Sequence, residues 1–431
     1  MSQPRQPGFD TLAIHAGAAP DPVTGARATP IYQTTSYVFD NADHAAALFN
    51  LQQPGFIYSR LTNPTVSVLE ERIAALEGGV GGTVTASGHS AQILALFPLM
   101  SPGLEVIAAT KLYGGSINQM RHSYKKFGWN AVFVDPDDPA AFQEAVTDKT
   151  RAIFVESLAN PGGVVVDIEA IARVANEAQV PLIVDNTMAT PYLFRPLDWG
   201  ADMVVHSTTK FLSGQGTAVG GAVVDSGRFD WLGLGEKFPS LGQPAPEYHG
   251  LTFAETFGNL AYTTYGHAVG LRDLGPSQAP MNAWITRQGI ETLGLRMQRQ
   301  CDNALKVAEF LSGHDQVDWV SYAGLPSDPY HALQQRLMPK GAGAVFTFGV
   351  KGGFDVGKKV VDNVEIISLL ANIGDTKSLI IHPASTTHRQ LTEEQLVAAG
   401  AGPEVVRLSI GIETVEDIID DLDQALRAAA G

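Results

Sequence analysis

Lys210 stands near the end of the run Ala201-Asp202-Met203-Val204-Val205-His206-Ser207-Thr208-Thr209-Lys210-Phe211. The first half of this run reads as a buried strand, apolar and β-branched with one charge at its rim. The second half sets hydroxyls beside the lysine. Ligands of α/β proteins bind at the carboxyl ends of strands, which is where Lys210 falls. Partial desolvation there lowers an amine's pKa and frees it for carbonyl chemistry. Ser207 and Thr209 are suitable ligands for a phosphate. A lysine beside phosphate ligands points to pyridoxal 5'-phosphate (PLP), whose aldehyde forms a Schiff base with lysine. The alternative is a surface lysine after a core strand, and the rest of the chain decides between them.

Other strand ends and charged positions carry compatible groups. Asp185 follows Leu182-Ile183-Val184 and lies 25 residues before Lys210. An acid there can hold a protonated ring nitrogen by a charge-assisted hydrogen bond, or cap a helix through Asn186-Thr187. Asn160 can donate to the ring's phenolic oxygen, or form a turn with Pro161-Gly162-Gly163. Tyr113, in Tyr113-Gly114-Gly115-Ser116, offers a face to stack on the ring or to pack in the core. Gly88-His89 opens a helix whose backbone N–H groups suit an anion, or forms a tight turn with no ligand. Arg60 and the Tyr58 hydroxyl suit a phosphate dianion. Arg407 is a charge inside the apolar run Val405-Val406-Arg407-Leu408-Ser409. It needs an anion, either a substrate α-carboxylate held bidentately or a structural ion pair. No metal site is expected. Gly78-Gly79-Val80-Gly81-Gly82 precedes its strand, which is the wrong side for a dinucleotide fingerprint.

The elements that must position these groups follow from periodicity. Residues 1 to about 60 read as an irregular arm broken by Pro20, Pro22, Pro30 and Pro54. Such an arm needs something to lie on, such as another subunit. From Val66 helices and short apolar strands alternate through Val224, which predicts a mostly parallel sheet covered on both faces. After Gly227 a long stretch rich in Gly and Pro reads as functional rather than as a plain connector, a cover for the site. One or two long helices are predicted over 283–311, then a smaller α+β unit. The division expected is an arm over 1–60, a large PLP-binding domain over 61–270 and a small domain over 271–431. The 431 residues, 45% hydrophobic and 17% charged, are enough for such cores. A net charge of -16 argues against nucleic acid and anionic membranes as partners. The one cysteine, Cys301, fits a reducing compartment, and no secretory signal is visible, so a cytoplasmic location is expected.

Together these residues resemble the Cys/Met-metabolism family of PLP-dependent enzymes over nearly the whole chain. Tyr58-Ser59-Arg60-Leu61-Thr62-Asn63-Pro64-Thr65 resembles the family's phosphate-binding arm, which reaches into a neighbouring subunit. Ala86-Ser87-Gly88-His89-Ser90-Ala91 resembles its phosphate loop. Val184-Asp185-Asn186-Thr187 and His206-Ser207-Thr208-Thr209-Lys210 resemble its ring-nitrogen and Schiff-base motifs. The resemblance implies an aminotransferase-type (fold type I) large domain, a small C-terminal domain and a homotetramer of two catalytic dimers. Pro246-Glu247-Tyr248-His249-Gly250 and the stretch from Leu370 to His388 resemble the O-acetylhomoserine sulfhydrylase branch. That branch implies O-acetylhomoserine and sulfide as substrates. It also implies Lys210 as acid and base, Tyr113 assisting proton transfer, and Asn372 and Tyr58 joining Arg407 around the substrate. Cystathionine γ-synthase and methionine γ-lyase share the cofactor and the first half of the reaction. A non-catalytic PLP-binding protein is the remote alternative, with no need of Lys210, Asp185 and Arg407 together.

Overall fold

The computed structural model describes residues 7–159, 163–387, 389, 396 and 400–430. The expected sheet is present. Its strands are β1 (Gly81–Thr85), β2 (Glu105–Ala109), β3 (Asn130–Val134) and β4 (Thr150–Glu156). A two-stranded ribbon, β5 (Leu158–Ala159) with β6 (Val164–Val165), stands apart. The sheet continues with β7 (Leu182–Asp185), β8 (Met203–His206) and β9 (Gly221–Asp225). The order across its seven strands is β1-β9-β8-β7-β4-β2-β3, and only β9 runs against its neighbours. β7 and β8 are buried at every position. That explains their continuous apolar sequences, because helices cover both faces of a parallel sheet.

A second sheet of five strands holds β10 (Val317–Ser321), β11 (Val345–Val350), β12 (Ser368–Leu369), β13 (Leu379–Ile381) and β14 (Val405–Ser409). Its order is β10-β11-β14-β13-β12. Arg407 lies mid-strand in β14, opposite Thr347 of β11 and Ile381 of β13. The helices Pro280–Ile290 and Leu293–Ser312 precede this sheet in the chain. Among the described helices, none is long and apolar enough to cross a membrane.

Two helices bring groups to the first sheet's strand ends. Pro64–Glu77 starts at an Asn63 cap that accepts the Thr65 N–H, with Pro64 in the first turn where no N–H is needed. It stops at Gly78, which is left-handed at φ 79°. Val66, Leu69, Ile73 and Leu76 are its buried apolar stripe. Truncating Leu69, which has no exposed surface, would cost about 2–5 kcal/mol. The second helix, Gly88–Leu96, is capped by Ser87 Oγ, which accepts the Ser90 N–H at 3.2 Å.

The N-terminal arm is more ordered than its prolines predicted. It holds the short helices Phe9–His15 and Ala42–Phe49, with Ala13 and Leu48 as their buried residues. Much of the arm is exposed, including Val38 at 97% and Phe49 at 58%.

Candidate active site

One cavity of about 260 Å³ gathers most of the residues singled out by chemistry. Gly88, His89, Tyr113, Asp185, Ser207, Thr209 and Lys210 come to it from the strand ends of the first sheet. Arg407 comes from β14 of the second sheet, and Asn372 from the loop between β12 and β13. The approach of the Gly88 and Ser207 segments depends on a glycine. A Cβ on Gly88 would lie 2.7 Å from the Ser207 Cβ, so any side chain there would push the two segments apart.

Lys210 is held at both ends. Its backbone N–H donates to Ser207 O at 3.3 Å, and its Nζ donates to Asn372 Oδ1 at 2.5 Å. Burial, with the Arg407 charge adding to it, brings its pKa down from 10.5 to about 8. An amine in that range exchanges protons near neutral pH. Thr209 Oγ1 accepts the Gly220 N–H at 3.0 Å and donates to Gly220 O at 3.2 Å, which fixes the turn before Lys210. Asn372 reaches this point because Gly374 is left-handed at φ 77° and passes close to Phe211 N, where a Cβ would lie 2.6 Å away. The Gly374 N–H donates to Ser409 Oγ, tying the segment to β14. Arg407 Nη2 donates to the Asn372 carbonyl at 3.2 Å. Burial brings the Arg407 pKa down to about 10, so it stays a cation at neutral pH.

Asp185 ends β7. Its Oδ1 accepts from Thr187 N at 3.0 Å and Thr187 Oγ1 at 2.5 Å, and Gln92 Nε2 lies 3.4 Å from Oδ2. The turn is local, and Asp185 caps no helix at this point. Burial pushes its carboxyl above the usual carboxylate range, while the Thr187 bonds, His206 and Gln92 pull it back. The Tyr113 ring lies 5.9 Å from that of His89 at 34°. The Tyr113 N–H donates to Glu156 Oε1 at 2.6 Å.

Sequence reasoning missed three polar groups at the cavity: Gln92, Glu156 and Thr187. Gln92 Nε2 also donates to Ser116 Oγ at 2.8 Å. Thr187 had a signal, since it falls two residues after the strand-end acid. Glu156 had the same signal as Asp185, a polar group where an apolar run stops, and Gln92 had none.

Other candidates are not brought here. Tyr58 and Arg60 are exposed and line no part of this cavity, and the Arg60 guanidinium lies 5.2 Å over the Tyr58 ring. Asn160 lies outside the described residues, as does His388. No residue between Arg228 and Gly275 lines the cavity, so the expected cover is not one for this chain's own site. That insertion instead buries aromatics. Trp231 stacks on Tyr262 at 5.7 Å, and Tyr248 OH donates to Ala268 O at 2.7 Å.

These residues fit PLP. A buried amine can anchor the aldehyde carbon, and Ser207, Thr209 and the start of the helix Gly88–Leu96 can take the phosphate. Asp185 can face the ring nitrogen and Tyr113 can lie on the ring.

The profile of the family described as Cys/Met metabolism PLP-dependent enzyme matches residues 10–427. The chain is 51% identical to the O-acetyl-L-homoserine sulfhydrylase of Leptospira meyeri, over 99% of this chain and 98% of that one. It is 48% identical to the homocysteine synthase of Schizosaccharomyces pombe, over 98% of each. A crystal structure from Campylobacter jejuni, named for O-acetylhomoserine (thiol)-lyase, superposes with a TM-score of 0.94 at 42% identity. The match covers 97% of this chain and all of the other, which carries N'-pyridoxyl-lysine-5'-monophosphate at its position 205. The matched span includes both sheets and the cavity between them, and the chain belongs to the Cys/Met metabolism family of PLP-dependent enzymes.

Proposed function

We propose that this enzyme is an O-acetyl-L-homoserine sulfhydrylase, in which sulfide replaces acetate at Cγ to give L-homocysteine and acetate. The observation that carries the reading is the cavity joining Lys210 and Asp185 at one sheet to Asn372 and Arg407 at the other. A cation and an amide beside a lysine of lowered pKa suit an amino acid whose Cα proton must move. The sulfhydrylase and homocysteine synthase names of full-length relatives support the choice of γ-replacement.

Bound in the cavity, PLP supplies an electron sink for charge developed at the substrate's Cα. The rest falls to the chain. Lys210 is the covalent anchor for the cofactor and, once freed, takes and returns protons at Cα and Cβ. Its Nζ already lies within reach of the Asn372 amide, so the amine has a fixed resting direction. Asp185 pairs with the ring nitrogen, and Thr187 fixes its Oδ1. Ser207, Thr209 and the amides of Gly88 and His89 hold the phosphate. Asn160 is assigned to the phenolic oxygen. Tyr113 stacks on the ring and assists proton transfer. Arg407 grips the substrate carboxylate bidentately, and Asn372 keeps the guanidinium and the amine in one frame.

Tyr58 and Arg60 serve the phosphate and the substrate of a second copy, within a homotetramer of two catalytic dimers. Their exposure, with that of Val38, Phe49 and Phe56 in the same arm, and their place away from their own cavity support this. The cytoplasm is the assigned compartment, a reading supported by a net charge of -16 and one buried, unpaired cysteine.

A product assay tests the function. O-Acetylhomoserine with sulfide should yield homocysteine with little ammonia or 2-oxobutyrate, and O-succinylhomoserine should be a poor substitute. Methionine alone should release almost no methanethiol. Rapid methanethiol release would reverse the assignment in favour of a γ-lyase.

A further inference from the structure

Glu77 is the last residue of the helix Pro64–Glu77 and has no exposed surface. Its Oε1 accepts from His206 Nε2 at 2.6 Å and from Asn186 Nδ2 at 2.9 Å. Both partners are also fully buried. Asn186 is the residue after Asp185, and His206 is the residue before Ser207. One carboxylate oxygen therefore ties the end of β7, which carries the acid, to the end of β8, which leads to the phosphate hydroxyls and Lys210. None of the three lines the cavity.

The tie is braced. Asn186 N donates to Val205 O at 2.9 Å, its Oδ1 accepts from Ser157 Oγ at 2.7 Å, and its Nδ2 donates to Phe194 O. On the cavity side Ser207 N donates to Thr187 Oγ1 at 2.8 Å, and Thr187 Oγ1 donates on to Asp185. Asp185 thus sits between two links that join the same pair of strand ends. Arg195 also packs against the helix end, but its Nε donates to the Glu77 backbone carbonyl, not to the carboxylate.

Stability does not account for the pair. Glu77 Oε2 and His206 Nδ1 have no protein hydrogen-bond partner among the described residues. A buried carboxylate with an unmet oxygen costs more than its partner returns, and apolar residues of the same volume are commonly as stable or more so. What such a pair supplies is charge at a chosen place. His206 opposes the effect of burial on Asp185, which favours the charged carboxylate.

We propose that Glu77 and His206 are positioning residues, a buried pair that keeps the Asp185 carboxylate charged and aligned for the cofactor's ring nitrogen. The proposal rests on the placement of that ring at Asp185.

Glu77→Gln tests it, because glutamine keeps the size and an acceptor oxygen and removes the charge. The purified enzyme is resolved from PLP and reloaded. The Kd for PLP should rise about tenfold and kcat fall about tenfold, with KM for O-acetylhomoserine within about twofold. The apoenzyme Tm should hold or rise. In an Asp185→Asn background, the effect of Glu77→Gln on the PLP Kd should vanish. Wild-type Kd and kcat in Glu77→Gln would overturn the proposal. So would a lowered apoenzyme Tm with wild-type PLP affinity, which is a structural role. An effect undiminished in Asp185→Asn would also overturn it. If Glu77→Gln does not fold, His206→Gln is read by the same criteria. Wild-type PLP affinity in the single Asp185→Asn variant would remove the placement of the ring, and the proposal with it.

Discussion

Arg407→Lys separates carboxylate recognition from a structural ion pair. Arg407 is set in the middle of a buried strand, between Thr347 and Ile381, where a cation is costly without an anion. Burial lowers its pKa to about 10, so it still carries its charge when the enzyme works. Lysine keeps that charge and loses the planar fork. One of two parallel charge-assisted hydrogen bonds to the substrate carboxylate then disappears, worth about 1.5–3 kcal/mol. At about 1.4 kcal/mol per factor of ten, kcat/KM should fall about ten- to a hundredfold. The carboxylate takes no part in bond breaking, so the loss should appear in KM and leave kcat nearly unchanged. Steady-state rates with O-acetylhomoserine varied at saturating sulfide measure this directly. The visible spectrum and PLP affinity of the variant should match the parent, since Arg407 is not assigned to the cofactor. An unchanged KM with altered cofactor binding would refute the reasoning and make Arg407 a structural cation.

Borohydride reduction of the holoenzyme should fix the cofactor on the peptide that contains Lys210, and a label on another lysine would remove the anchor from this site. Mixing Arg60→Ala chains with Lys210→Ala chains should rebuild one intact site per mixed dimer and restore activity that neither parent has. Silence from mixed dimers shown to form would put Arg60 and Lys210 in one chain's site. Asp225, the last residue of β9, tests the fold where it pairs with Met203 at the start of β8. Burial raises its carboxyl from 3.8 to about 7, while the Gly227 N–H holds its Oδ1. An unfolded chain ionises this group first, so its burial weakens the fold progressively as pH climbs from about 4 to 7. Asp225→Asn should therefore raise the apoenzyme Tm above pH 7 and leave it nearly unchanged near pH 4. A Tm gain independent of pH would assign the effect to something other than this titration.

What could be read from the sequence shares one physical property. β2, β4, β7 and β8 are buried on both faces, so their apolar runs are continuous. β10 escaped because Asp318 and Trp319 face outward at a sheet edge and leave no run. β13 is three residues long, too short to carry a period. The helix Phe9–His15 buries only Ala13, so its sequence has no apolar stripe to find. Site residues divide in the same manner. Lys210 and Asp185 announce themselves because each is a polar group where an apolar run stops. Gln92 meets Asp185 across 93 positions and His206 meets Glu77 across 129, and no local pattern encodes such a meeting. Tyr58 and Arg60 are a third kind. Their chemistry is legible, yet they stand away from the cavity of their own chain. Residue type tells what a group can bind, whereas only the assembled fold tells whose ligand it meets. A buried pair such as Glu77 and His206 is the extreme case, because neither residue lines the cavity and both act on it only through Asp185 and the strands they join.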